Sequence, residues 1–380
     1  MASTDFSRQI NVKSETGFAR GGQLFALWHI DLIMFILLLI LCSVGLLILF
    51  SASEQSLYMV KRQGLHYLVG FVVMIILAQI PPRIYSALAP WAYAAGLLAL
   101  VGVLVMGVGA KGAQRWLELP GLPRFQPSEL MKLALPLMVA SFMAKRSIPP
   151  KLSDLLKASV IIFIPVVMIL KQPDLGTSIL IATSGVLVLF FAGMSWKIIG
   201  TLIAMVTAAA PMMWFFVMRD YQKQRVLTFL DPESDKLGSG WNIIQSKTAI
   251  GSGGVQGKGW LQGSQSHLEF LPESHTDFII AVLAEEKGLL GVLALLVVYF
   301  LIVIRGLYIA ASCRRPFGRF LAGSLIVTFF VYVFVNIGMV SGILPVVGVP
   351  LPLVSWGGTS VVSLLAAFGV IMSIHTHRQA

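Results

Sequence analysis

Charge is what this chain has least of. Only 12% of its 380 residues are Asp, Glu, Lys or Arg, against roughly 25% in ordinary soluble domains, so a water-covered surface all round is excluded. Cysteine is nearly absent. Cys42 lies in an apolar run and Cys313 in a basic connection, which excludes a disulfide-stapled scaffold and leaves a structural disulfide unexpected. HExxH, paired CxxC and GxSxG patterns do not occur, so zinc and serine-hydrolase machinery are not expected. The glycine-rich stretch Gly251–Gly259 fails as a P-loop: Ser252 stands where its first glycine belongs, and Gly259 follows Lys258 where Ser or Thr is needed. Neither an inverted nor a tandem repeat relates the apolar runs, which argues against repeat-built transporters.

What the chain has in abundance is hydrocarbon. Apolar residues make up 57% and mean hydropathy is +0.85, more than one aqueous core can hide, so lipid must cover much of the molecule. Runs able to cross roughly 30 Å of hydrocarbon fall near 31–51, 65–81, 86–108, 128–144, 155–171, 175–194, 197–218, 277–304, 320–343 and 353–374. The sequence therefore predicts an all-α polytopic membrane protein of about ten transmembrane helices. The first 28 residues are polar and the first run lacks a small-residue cleavage site, so that run reads as a retained anchor.

The formal net charge of +11 is spread over short connections, the pattern of topology signals and not of a nucleic-acid face. With the N-terminus in the cytoplasm, fourteen basic residues fall inside, including Arg8, Arg83, Lys145, Arg305, Arg314 and Arg315. Six fall in short outside loops: Lys61, Arg62, Lys111, Arg115, Arg124 and Lys171. That bias predicts N-in, C-in, with residues 1–30 a cytoplasmic tail. Residues 219–276 then form one long ordered outer loop between spans seven and eight, where Trp241, Ile243, Ile244, Trp260 and Phe270 are interleaved with glycines. Long ordered loops are usually functional.

That loop ends in Leu268-Glu-Phe-Leu-Pro-Glu-Ser-His-Thr-Asp277, placing an acid where lipid meets water. Ser274-x-x-Asp277 also fits a capping box, and spacing alone favours the cap over catalysis. A helix N-terminus would lower the acid's pKa and desolvation would raise it. Glu285 and Glu286 lie roughly 12–14 Å deeper; buried acids are paired or functional by default, and a pairing role with Lys287 or Lys132 is the expectation. Lys132, three residues after Glu129, either snorkels outward or faces the bundle and holds a phosphate. Arg115, Arg124 and Arg225 suit phosphate recognition but are each weak signals alone. Three prolines and four glycines in Gly342–Gly358 read as a re-entrant connector or a cavity wall.

Together, GAQRWLELPGLPRFQPSELMKLALP, KQPDLGTSIL, DYQKQRVLTFLDPESD, the segment from IIQSKTAIG to LAEEKG, and NIGMVSGILPVVGVPLPLVSWGG resemble the SEDS (shape, elongation, division and sporulation) family, and within it the RodA-type rod-shape proteins. The resemblance covers the chain from about residue 30 to its end as a single membrane domain. It implies a peptidoglycan glycosyltransferase that polymerises lipid II during cell elongation in the bacterial inner membrane. The implied partners are a class B penicillin-binding protein, as transpeptidase, and other membrane proteins of the elongation complex. It makes Asp277, the acid of the HTDF motif, the catalytic residue, with Glu269 and Lys132 at positions that influence activity. His275 precedes that acid in the same motif and joins the substrate-binding candidates. Trp356 replaces the more usual tyrosine of the SYGG-type motif.

On this reading Asp277 is the general base on an acceptor hydroxyl. Polyprenyl pyrophosphate leaves, so no nucleotide cofactor is needed. Lys132, Arg115 or Arg225, or a divalent cation held by Asp277 or Glu269, neutralises the departing charge. The reacting lipids would meet between the long loop and spans four, eight and nine. A lipid II flippase is the competing class, resting on the intramembrane Glu285, Glu286 and Lys132. A non-catalytic scaffold is the third.

Overall fold

The computed structural model describes residues 29–377, apart from 111–112, 119–123, 219, 236–237 and 265–272. Each of the ten expected runs is a helix: α1 (Leu32–Ala52), α2 (Leu57–Gln79), α3 (Pro82–Met106), α4 (Pro127–Met143), α5 (Leu152–Lys171), α6 (Leu175–Phe191), α7 (Trp196–Met212), then, beyond the loop, α10 (Ile279–Ser312), α11 (Pro316–Val340) and α12 (Thr359–Thr376). Seven of these are long and apolar enough to cross a membrane, while α6 and α7 are shorter apolar helices and α4 has 17 residues. The long loop between α7 and α10 contains α8 (Asp220–Leu230) and α9 (Ser239–Gly253). The all-α polytopic expectation is borne out. Within it a short antiparallel hairpin, β1 (Val108–Ala110) and β2 (Ala113–Trp116), follows α3; Gly107 and Gly109 break the helical pattern there.

Local chemistry sets the helix starts. Asp31 caps α1 by accepting from Met34 N at 2.8 Å, Asp174 caps α6 through Thr177 N at 3.2 Å, and proline opens α3, α4 and α11, where its missing N–H costs nothing. In α1 apolar side chains surround the axis, with Leu38 and Leu41 buried and Ile33 and Leu47 exposed. Such a helix is stable only where both protein and hydrocarbon surround it. The most enclosed of the seven long spans, α11, packs against α4, α6 and α10. Ser324, Tyr332 and Asn336 on it are buried.

The two deep acids are paired, as expected, but with other partners. Glu285 accepts from Lys258 Nζ at 2.7 Å and from Ser264 Oγ at 3.2 Å, and Glu286 accepts from Ser51. Lys287 and Lys132 play no part in these bonds; the glycine-rich stretch supplies the cation. Its backbone also changes places with the helix. Leu289 N and Leu290 N donate to Gly254 O (3.0 Å) and Val255 O (3.2 Å), while Glu285 O and Glu286 O accept from Lys258 N and Gly259 N, both at 3.0 Å. The α10 ladder is thereby exchanged at the kink where Gly288 has φ +63°. No peptide group in this exchange goes unpaired, the condition for irregular backbone in a membrane protein. The glycines follow from close approach: a Cβ on Gly253 would lie 1.9 Å from Ala284 O, and one on Gly257 2.2 Å from Glu286 O.

At the far end of α10, Arg305 forks onto Asp31 at 3.1 and 2.5 Å, and His375 Nε2 lies 3.3 Å from the same carboxylate. This cluster ties the start of α1 to the ends of α10 and α12. Burial pushes the Asp31 carboxyl upward. The hydrogen bonds from Arg305 and Met34, with the nearby charges of Arg305 and His375, more than offset this and hold it below the ordinary carboxylate value. Its stabilisation is therefore present above the unfolded pKa of about 3.9 and is lost as pH falls through the folded value.

Two outcomes follow for the purified protein. Asp31→Asn should lower the melting temperature at neutral pH, and its gap from the parent should narrow as pH drops below about 4. Gly253→Ala should destabilise by about 1–3 kcal/mol or more through overpacking against α10, read as a lower melting temperature and loss of a single gel-filtration peak.

Candidate active site

The connector from α11 to α12, residues 341–358, does not form a helix except for its short turns, and the candidate residues gather around it. Asp277 sits two residues before α10, and Phe278 occupies the N-cap without a side-chain cap bond. The expected capping box is not formed: Ser274 Oγ donates to Ala52 O at 3.2 Å, and Thr276 Oγ1 donates to Glu273 Oε2 at 2.8 Å. The segment before α10 is thus anchored by its own turn and by α1. Asp277 is left at the helix entrance, half-buried.

Asn336 fixes that position. Its amide Nδ2 donates both to Asp277 O at 2.9 Å and to Val349 O at 2.7 Å. One buried side chain of α11 therefore holds the acid's backbone beside the connector. Two further bonds run in register with it: Trp356 N donates to His275 O at 2.9 Å, and Ser355 Oγ donates to Thr276 O at 2.5 Å. Gly348, with φ +74°, faces the carboxylate; a Cβ there would lie 3.6 Å from Asp277 Oδ2. Its backbone conformation is what calls for glycine, since that spacing is ordinary contact.

Arg225 and Lys132 meet the same connector, and Arg115 approaches it through its neighbours. Arg225 Nη1 lies 3.5 Å from Val347 O, adjacent to Gly348. Arg115 donates to Pro173 O at 2.7 Å and pairs with Asp174 at 3.6 Å; Gln126 donates to the same carboxylate at 3.3 Å. That cluster touches the connector through Gly176, where a Cβ would fall 2.9 Å from Val347 O. Lys132 does not snorkel outward. It donates to Glu129 Oε1 at 2.6 Å and lies 4.9 Å from the Tyr332 ring centroid. With Pro350, Leu351 and Ser355 it also lines a small cavity beneath the connector. Ser363 Oγ holds the other oxygen of Glu129 at 2.7 Å. Spans four, eight and nine converge as expected; span ten joins them through Ser363. Arg124 pairs with Glu118 near the bundle's edge. Glu269 lies outside the described residues. Among the described residues no three His, Cys, Asp or Glu side chains converge as a metal-binding group.

Sequence reasoning missed Asn336, Tyr332, Ser363 and Gln63. Asn336 and Tyr332 do carry a signal: with Thr328 they recur every fourth residue along an otherwise apolar helix, one polar stripe facing the bundle.

The family described as cell cycle protein, the FtsW/RodA/SpoVE family, matches residues 24–380. The chain belongs to this family. It is 56% identical to "Peptidoglycan glycosyltransferase MrdB" of Escherichia coli K12 over 92% of this chain and 95% of that protein. It is 37% identical to "Probable peptidoglycan glycosyltransferase FtsW" of Geobacter sulfurreducens, over 91% and 95%. Two solved structures share the fold, each covering 92% of this chain and 98% of its own. One, reported under "Structural coordination of polymerization and crosslinking by a peptidoglycan synthase complex", has TM-score 0.81 and 31% identity. The other, Thermus thermophilus rod shape determining protein RodA, has TM-score 0.71 and 28% identity. This FtsW/RodA/SpoVE member is accordingly a multi-pass helical membrane protein.

Replacing Asn336 by Ala removes two buried hydrogen bonds worth about 1 kcal/mol each. Proteolysis of the purified protein should then cut faster in 273–278 and 341–358, with the remaining spans protected as before. An unchanged cleavage pattern would show that the acid is held by other means.

Proposed function

We propose that this protein is a peptidoglycan glycosyltransferase that polymerises lipid II at the outer face of the bacterial inner membrane, with Asp277 as general base. The reading rests on one observation above others. Asp277, at the entrance of α10, is not its N-cap, and its backbone is fixed by Asn336 against a non-helical connector that also receives Arg225. A carboxylate held in that way is positioned for a reaction; one that merely ended a helix would not need the second anchor. The 56% identity to a peptidoglycan glycosyltransferase over nearly the whole chain supports the same substrate class.

In the proposed step Asp277 takes the proton from the acceptor sugar's 4-hydroxyl while that oxygen attacks C1 of the donor. The C1–O bond to the diphosphate breaks in the same displacement, so the anomeric centre inverts and no second nucleophilic carboxylate is required. The bond electrons leave with polyprenyl pyrophosphate, and the proton on Asp277 is afterwards lost to water. Of the three basic candidates, Arg225 reaches the connector carbonyl next to Gly348, the residue that faces Asp277, and best suits the departing oxygens. Arg115 is engaged by Asp174 and Lys132 by Glu129, which fits them for shaping the floor and wall of the site. Glu269 and His275 stay within this proposal as substrate contacts on the loop side, as does a divalent cation as an aid to Arg225.

The membrane arrangement follows the charge bias: N-terminus and C-terminus in the cytoplasm, one membrane domain, and 219–276 on the periplasmic side. A class B penicillin-binding protein is the proposed crosslinking partner, in keeping with the complex described for a solved relative. The flippase reading loses its main support, because Glu285, Glu286 and Lys132 are tied to Lys258, Ser51 and Glu129.

The test is polymerisation of lipid II by purified protein in detergent, where transport across a membrane has no meaning, with the partner transpeptidase present and product read on a gel. Asp277→Asn should fold and melt like the parent yet lose about 10²–10⁴-fold in rate. Glycan strands made at the parental rate by that variant would remove Asp277 from the chemistry.

A further inference from the structure

The end of α9 and the turn after it, residues 253–262, are built the wrong way round for a loop in water. Lys258 is the only charged residue between Gly251 and Gly263, and it turns inward to Glu285 at 2.7 Å. Val255 and Trp260, by contrast, are 61% and 45% exposed. A loop surrounded by water does the opposite, since a charge loses hydration by turning in and an apolar side chain gains nothing by staying out. The backbone shows the same inversion. Gly254 O, Val255 O, Lys258 N and Gly259 N all bond to α10, and Gly257 N donates to Gly253 O at 2.8 Å. Water would satisfy such groups unaided; hydrocarbon would not. Gln262 N donates to Gly259 O at 3.2 Å, closing a turn whose corner residues are Trp260 and Leu261. Leu261 holds φ +62° there, a position usually given to Gly or Asn.

Two spans fix the depth of this stretch. α1 has 21 residues, about 32 Å at the helical rise, which only just crosses roughly 30 Å of hydrocarbon. Trp260 lies against Phe50 in the last turn of α1, with ring centroids 6.2 Å apart, so it sits where that crossing ends. In α10 the kink at Gly288 leaves residues 289–312 beyond it. They measure about 36 Å and cross on their own, so the lipid boundary falls at the kink, beside residues 254–259. The exposed apolar stripe of α10, from Leu289 and Leu290 to Leu293 and Val297, is covered by lipid in a multi-pass membrane protein. Val255 prolongs that stripe, because Leu289 N and Leu290 N bond to the carbonyls of Gly254 and Val255.

We propose that residues 253–262 form an interfacial wedge. Although part of the long loop between α7 and α10, they enter the leaflet at the Asp277 end, with Val255 and Trp260 against lipid and Lys258 against Glu285. Tryptophan is favoured at that depth, where one edge of the ring is wet and the rest is in hydrocarbon. The bilayer is then a third partner of the clasp at Gly288, beside the exchanged backbone bonds and the Lys258–Glu285 pair. This placement depends on the chain crossing a membrane and is independent of the chemistry proposed for Asp277.

The experiment uses the full chain in phosphatidylcholine–phosphatidylglycerol vesicles, with Cys42→Ala and Cys313→Ser and a nitroxide on one introduced cysteine at a time. Collision with oxygen, which concentrates in hydrocarbon, is compared with collision with a water-soluble nickel chelate. Leu293→Cys, on the lipid-facing stripe, and Glu233→Cys, exposed elsewhere in the same loop, supply the two reference ratios. Labels at Val255→Cys and at Trp260→Cys should shift the oxygen-to-nickel ratio to the Leu293 side of the midpoint. Val255 is the deciding position, because it is the more exposed of the two and its replacement costs little packing, whereas Trp260 gives up its contact with Phe50. A Val255 ratio equal to that at Glu233 places the loop in water and overturns the proposal. Low collision with both reagents, the sign of a second copy or another protein over the patch, overturns it as well.

Discussion

Non-helical backbone at membrane depth is allowed only where each peptide group finds a partner within the protein, and the connector between α11 and α12 is where this chain meets that demand. Its carbonyls are claimed one after another by side chains from three spans and the loop: Val347 by Arg225, Val349 by Asn336, Pro352 by Tyr299 at 2.6 Å, Leu353 by Tyr67 at 2.8 Å and Ser355 by Gln63 at 3.2 Å. Leu351 N is taken by Ser355 Oγ at 2.8 Å. Each such bond contributes only about 1 kcal/mol net, but leaving the group unmade costs more. The polar residues of an otherwise apolar bundle are therefore concentrated here, and the candidate site is built on what they hold in place.

The same demand explains the clasp at Gly288. A kink in α10 frees two carbonyls and two N–H groups, and the glycine-rich stretch of the long loop accepts and returns those bonds one for one. Lys258 then sits against Glu285, so the charge that desolvation would make costly is paired at the point of exchange. The loop is fastened to α10 eight to thirteen residues beyond Asp277 by backbone as well as by charge. Asp277 and the clasped stretch 254–259 are consequently fastened to the same helix.

Much of the scaffold was legible in the sequence because hydrocarbon thickness is a blunt and reliable ruler: all ten apolar runs became helices. The hairpin after α3 escaped because three- and four-residue strands carry too little period to register. The capping box was a fair inference from Ser274 and Asp277, but the serine hydroxyl found Ala52 O on α1, a contact 222 residues away that spacing cannot report. The acids at 285 and 286 announced that they needed partners. Which cation would answer depended on a loop folding back onto its own helix, and Lys258 lies nearly thirty residues upstream. Residues that serve the connector, such as Gln63 and Tyr67, were invisible for the same reason: each satisfies a carbonyl almost three hundred residues away.

Asn336 shows why the site is better read from its anchors than from its titratable groups. Its Oδ1 has no partner among the described residues although the side chain is fully buried, and an unpaired buried amide oxygen carries a real penalty. That penalty is tolerated only because Nδ2 makes two bonds at once, one to the acid's own carbonyl and one to the connector. An apolar residue there would relieve Oδ1 but leave Asp277 O and Val349 O without their donor. An aspartate would keep the size and lose both bonds. Threonine and serine are too short to span the same gap. The amide is therefore the one side chain of that size able to donate twice in those directions, and its presence in a helix lined with Val, Phe and Ile is explained by the placement of a single carboxylate.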